Sequence, residues 1–117
     1  MMNRDRPLPV RFFRTTTGRE PVRAWLRSLG REAKRIIGAD IKTVQFGWPL
    51  GMPLVRKLES DLWEVRSTLP NSIARVVFTV YDGTILLLHG FIKKSEKTPA
   101  SDLTLARSRL TMLREAR

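Results

Sequence analysis

The sequence predicts an α+β fold: a mostly antiparallel sheet of four to five strands packed against an N-terminal helical hairpin, with a helix at the C-terminus. Three observations predict it. Apolar residues recur at helical spacing up to residue 46, alternate at strand spacing from 54 to 93 between turn signals, and return to helical spacing after 101. The length of 117 residues suits a single domain over 1–117, able to bury one core and too short for a second.

Val10–Arg14 reads as a short first strand, closed by the turn at Thr15, Thr16, Thr17 and Gly18. A helix follows. Pro21 suits its first turn, Val22, Trp25, Leu26 and Leu29 fall at i, i+3, i+4 and i+7, and Gly30 suits its end, with Arg23 and Arg27 on the other face. A second helix, about Glu32–Phe46, gathers Ala33, Ile37, Ile41 and Val44 on one side and leaves Lys34, Arg35 and Lys42 largely elsewhere. Two such neighbours are expected to pair as a hairpin. The prolines of Gly47–Pro53 then impose an irregular connection.

Beyond it the period changes to that of strands: Leu54–Leu58, Leu62–Thr68, Ile73–Tyr81 and Thr84–Lys93, an antiparallel meander punctuated by Ser60-Asp61, Pro70-Asn71 and Asp82-Gly83. Asp82-Gly83 is the best hairpin turn, because both residues tolerate positive φ. The last helix is expected to start near Ser101 as N-cap and to carry Leu103, Ala106, Leu110 and Leu113 as its apolar stripe.

Composition narrows the function. With no cysteine and His89 as the only histidine, disulfides, thiolate zinc sites and histidine-rich metal sets are excluded, and the eleven acids are scattered and outnumbered by cations. No apolar run reaches the roughly 20 residues that a bilayer requires, and the start of the chain lacks the apolar stretch of a secretory signal. A cytoplasmic, metal-independent protein is the expectation. The net charge of +11 divides into +7 over residues 1–45, 0 over 46–92 and +4 over 93–117. The sheet text is neutral and the helical ends are basic. Such a field, with a pI near 11.4, favours a nucleic acid or a nucleic-acid machine as partner. The local signals agree: the apolar strand Leu86–Ile92 runs into Lys93, Lys94 and Lys97, and Arg66 and Arg75 sit inside apolar strands upstream. Together they sketch a phosphate-binding sheet.

The order of these pieces resembles the HigB-like branch of the RelE/ParE toxin superfamily. The resemblance rests on two N-terminal helices, Leu-Trp-Glu-Val-Arg at 62–66, the strand through Arg75, Leu-Leu-His-Gly-Phe-Ile-Lys-Lys at 87–94 and Lys-Thr-Pro at 97–99 before a final helix. It covers nearly the whole chain. It implies a RelE-like fold and the toxin of a type II toxin–antitoxin system, acting as a ribosome-dependent mRNA endonuclease that inhibits translation without metal or other cofactor. The implied partners are mRNA on the ribosome and a cognate helix-turn-helix, HigA-like antitoxin, with DNA reached only through the antitoxin. Two alternatives stand beside it: a ParE-like inhibitor of DNA gyrase without nuclease activity, and an inactive RNA- or ribosome-binding relative.

In the nuclease reading the ribose 2′-OH attacks its own phosphate, so the site must align the groups, neutralise developing charge and move protons. The resemblance assigns Arg66 and Arg75 to phosphate or transition-state contacts, with pairing of Arg66 to Glu64 or Glu59 as the structural alternative. Strand parity puts Lys93 on one face with His89 and Phe91, a trio suited to phosphate binding, proton transfer and base stacking; core roles for His89 and Phe91 are the competing reading. Gly90 permits a close backbone approach or marks a bulge. Lys94, Lys97 and Tyr81 complete the RNA-binding candidates, Tyr81 with the alternative of a strand-end anchor. Where RelE-like enzymes carry third-strand lysines, this chain has Leu62 and Glu64, which leaves Glu64 as a candidate base weakened by neighbouring cations. Which arginine faces His89 turns on hairpin register: a strict two-residue turn pairs Arg75 beside Gly90 and faces it away from His89, and a bulged turn reverses this.

Overall fold

Alternation along the central strands sends apolar side chains to both faces of one sheet, and helices cover both. The computed structural model describes residues 6–93 and 97–116; Lys94 lies outside the described residues. Its elements are β1 (Val10–Phe12), α1 (Pro21–Ser28), α2 (Arg31–Gly47), β2 (Val55–Glu59), β3 (Leu62–Thr68), β4 (Ile73–Tyr81), β5 (Thr84–Lys93) and α3 (Ala100–Glu115). The sheet order is β1-β5-β4-β3-β2. Strands β2 to β5 form the expected meander, turned at Asp82 and Gly83, both at positive φ (53° and 71°).

The sheet is mixed. Strand β1 pairs with β5 in parallel, Val10 opposite Ile85 and Phe12 opposite Leu87, because α1, α2 and the meander separate the two strands and supply the long crossover that parallel pairing needs. The expected hairpin of helices also needs correcting. Leu29 and Gly30 alone join α1 to α2, yet α1 lies over β5 and α2 over β3, each finding its apolar partners on the sheet. Val22, Ile37, Ile41 and Val44 there meet Val65, Val76, Phe78 and Leu87 in one core. On the opposite face Ala106 and Leu110 of α3 meet Leu62, Val77, Leu88 and Phe91 in a second. Helix α3 is capped two residues earlier than expected, with Pro99 at the N-cap and no side-chain cap, so Ser101 is an exposed first-turn residue. Proline there supplies the extended backbone, and the helix is fixed by its docking rather than by a capping hydroxyl.

Gly90 is fixed by a close approach. A Cβ at this position would lie 2.3 Å from the ring of Trp25, whose indole rests flat on β5. Gly90→Ala must push a rigid ring out of its place in the first core, an overpacking that costs about 1–3 kcal/mol. A denaturant midpoint lowered accordingly is the expected result, and Trp25 fluorescence reports the displacement.

Candidate functional site

The turn at Asp82-Gly83 is a strict two-residue one, with Tyr81 opposite Thr84. Register shifts farther along: Phe78 pairs with Leu87 but Val77 pairs with His89, so Leu88 is an extra residue in β5. This bulge puts Leu88 and His89 in succession on the α3 face and shifts the register of every later residue of β5 by one. Arg75 thereby pairs with Phe91, not Gly90, and shares a face with His89. The bulge lies within the strand, not at the turn.

Three side chains follow one another along this face. The His89 and Phe91 rings lie 5.4 Å apart at 24°, and the Arg75 guanidinium sits 6.0 Å from the Phe91 centroid. His89 Nε2 is 2.6 Å from Asp102 Oδ1 at the start of α3. Arg109, two turns on, donates from Nη1 to the Leu88 carbonyl oxygen at 2.8 Å and places the same nitrogen 3.5 Å from His89 Nδ1. Burial of the Arg109 side chain pushes its pKa below the ordinary guanidinium value without bringing it near neutrality. In the tautomer that carries its proton on Nε2, His89 donates to Asp102 and turns the Nδ1 lone pair toward Arg109. His89 is therefore half-buried and tethered at both nitrogens, with 14% of its side chain exposed.

Arg66 stands directly opposite Arg75 in the β3–β4 ladder, a like-charge pair with Glu64 beside it. Glu64 is fully buried; its Oε2 accepts from Arg66 Nη1 at 3.3 Å and its Oε1 from Thr98 Oγ1 at 2.9 Å. Thr98 thus brings the connection after β5 back across the face to β3. Arg75 is fully buried and the Arg66 side chain only 8% exposed. Arg75 does not reach the surface, whereas Arg66 lines a hollow with Asp40, Leu54 and Thr68. Lys93 and Lys97 are exposed, Lys93 on the face of His89 and Phe91 as parity requires. Tyr81 lies at the turn end of β4, six residues or about 20 Å of strand from Arg75, away from the cluster. Among the described residues no three His, Cys, Asp or Glu side chains gather as a metal set.

Asp102 and Arg109 are the residues that sequence reasoning missed. They occupy i and i+7 around Ala106, so they flank the apolar stripe that docks α3. That spacing was the available signal. Two further pairs hold the helix: Arg107 grips both oxygens of Glu59 on β2 at 2.6–3.0 Å, and Arg114 bonds Asp61 at 2.6 Å. The Arg107 hydrogen bonds hold the Glu59 carboxyl below its ordinary pKa. A depressed carboxylate stabilises the fold above its unfolded pKa and stops doing so as pH falls through the folded value. Thermal midpoints should therefore decline as pH drops below about 4.3, and Glu59→Gln should lower the neutral-pH midpoint while flattening that decline.

A concavity of about 550 Å³ lies away from the two sheet arginines. It opens beside Arg109, at the edge of β5 beyond β1. No helix among the described residues is long and apolar enough to cross a membrane. A family model described as "Phage derived protein Gp49-like" matches residues 24–111, from within α1 to within α3. No curated protein matches the chain.

Proposed function

The chain belongs to the phage-derived Gp49-like family, and from that premise we propose that it is the toxin of a toxin–antitoxin pair, acting as a HigB-like, ribosome-dependent mRNA endonuclease. The family is of the RelE/Gp49 toxin type, which supports a toxin with an antitoxin partner. The observation that carries the nuclease reading is the set on the α3 face: a histidine held by a carboxylate, stacked on an aromatic ring and flanked by arginines and lysine, on a strongly basic protein.

In this reaction the 2′-oxygen attacks the adjacent phosphorus, the bond to the 5′-oxygen breaks, and a 2′,3′-cyclic phosphate and a 5′-hydroxyl result. His89 Nδ1 takes the proton of the 2′-OH, Asp102 stabilises the imidazolium that forms, and the departing 5′-oxygen takes its proton from solvent water, to which the imidazolium later returns its own. Arg109, beside His89 Nδ1, and exposed Lys93 meet the charge that develops on the phosphorane oxygens. Arg66 and Arg75 act from beneath: Arg75 fixes the Phe91 ring against His89, and Glu64 holds Arg66 in place rather than serving as the base. Lys97 is assigned to the RNA backbone along the approach.

The test is to induce the protein, map RNA 5′ ends and assay DNA supercoiling in the same cells. Codon-phased cuts with unchanged supercoiling support the nuclease. Intact mRNA with altered supercoiling establishes the gyrase-poisoning alternative instead.

A further inference from the structure

A second cationic feature lies outside the cluster just described. Strand β1 ends at Phe12, leaving the edge of β5 open, and a groove of about 550 Å³ forms there between the turn after β1, helix α1 and the side of α3. Its charged lining is Arg19, Arg23, Arg27 and Arg109, with Glu20 the carboxylate among its lining residues. Arg23 takes up that carboxylate, Nη1 to Oε1 at 3.2 Å. Among the described residues neither Arg19 nor Arg27 has a carboxylate partner.

Two of these guanidiniums are oriented by aromatic rings: Arg23 lies 5.9 Å from the Phe12 centroid and Arg109 lies 5.8 Å from that of Phe13. Arg23 and Arg27 stand one turn apart on α1, about 5–6 Å between Cβ atoms. The groove and the candidate centre share Arg109, which lines the one and places Nη1 3.5 Å from His89 Nδ1 in the other. A planar fork accepts two phosphate oxygens at once, and a row of forks leading away from one nucleotide suits the phosphates that flank it.

We propose that this arginine groove binds the backbone of single-stranded RNA on one side of the nucleotide held at His89. The choice of RNA as occupant rests on the nuclease reading; the binding itself is measurable without cleavage. The probe is a 12-nucleotide, fully 2′-O-methylated RNA, which has no 2′-hydroxyl to attack. Its affinity for the full chain is followed by fluorescence anisotropy from 50 to 200 mM salt.

Each phosphate contact to a single strand contributes about 0.7 to the slope of log affinity against log salt, so Arg23→Gln/Arg27→Gln should flatten the slope by about 1.4 and weaken binding roughly 25-fold at 0.1 M salt. Arg31→Gln/Lys34→Gln, on the exposed face of α2, removes the same charge outside the groove and should leave the slope unchanged. Arg19→Gln/Arg27→Gln, which disturbs neither the Glu20 pair nor the Phe12 contact, should repeat the effect of the first variant in a chain with the wild-type thermal midpoint. An equal loss in the α2 control overturns the groove in favour of a diffuse field. An unchanged RNA slope, with loss of binding to an oligoglutamate peptide, overturns it in favour of an acidic protein partner. A chain that binds the probe through the groove and makes no codon-phased cut upholds the groove and sinks the nuclease.

Discussion

His89→Ala should abolish growth arrest and reduce mRNA cleavage by about 10²–10⁴, the usual contribution of a positioned proton-transfer group. The side chain also packs on Phe91 and holds Asp102, with 14% of it exposed, so activity is read beside the thermal midpoint. A loss of activity with a retained thermal midpoint therefore separates chemistry from packing. Asp102→Asn sharpens the test. It preserves shape at 2.6 Å from Nε2 but removes the negative charge that selects the Nε2–H tautomer and stabilises the imidazolium. Cleavage should fall, by less than in His89→Ala, and its pH profile should move, which a purely structural contact would not produce. Wild-type cleavage in His89→Ala would sink the assignment of the base.

The helices and the meander were legible because each carries its own period. Val22, Ile37, Ile41 and Val44 lie buried where helical spacing placed them, and the strands of the meander begin and end close to their turn signals. The parallel pairing of β1 was not legible, since it depends on which edge of a finished sheet stays open and no local pattern records that. The bulge was hidden for a different reason. Leu86, Leu87 and Leu88 are identical, so an extra residue among them leaves no mark in apolar alternation, although it decides whether Arg75 faces His89. Parity alone correctly grouped His89, Phe91 and Lys93, because all three follow the bulge. Burial of Arg75 and the bond that ties Thr98 to Glu64 are tertiary events invisible in strand text.

That burial makes Glu64 the residue on which the β3 end of the face depends. Arg66 and Arg75 are directly opposite one another, and cross-strand like charges repel when nothing lies between them. The Glu64 carboxylate is fully buried, bonded to Arg66 and to Thr98, so it supplies negative charge beside the pair and anchors the chain on its way to α3. Glu64→Gln keeps the volume and removes the charge. Deleting one member of a buried ion pair costs about 3–5 kcal/mol, a fall of roughly 10–15 °C in thermal midpoint for a domain of this size. The loss should depend on Arg66: Glu64→Gln/Arg66→Met should recover a substantial part, because the second change removes the charge that stands opposite Arg75. Equal midpoints for the single and double variants would show that Glu64 acts mainly through Thr98. Hydrogen exchange distinguishes the two parts directly, since loss of the Thr98 bond exposes the start of α3 first, whereas repulsion between the arginines opens the β3–β4 ladder.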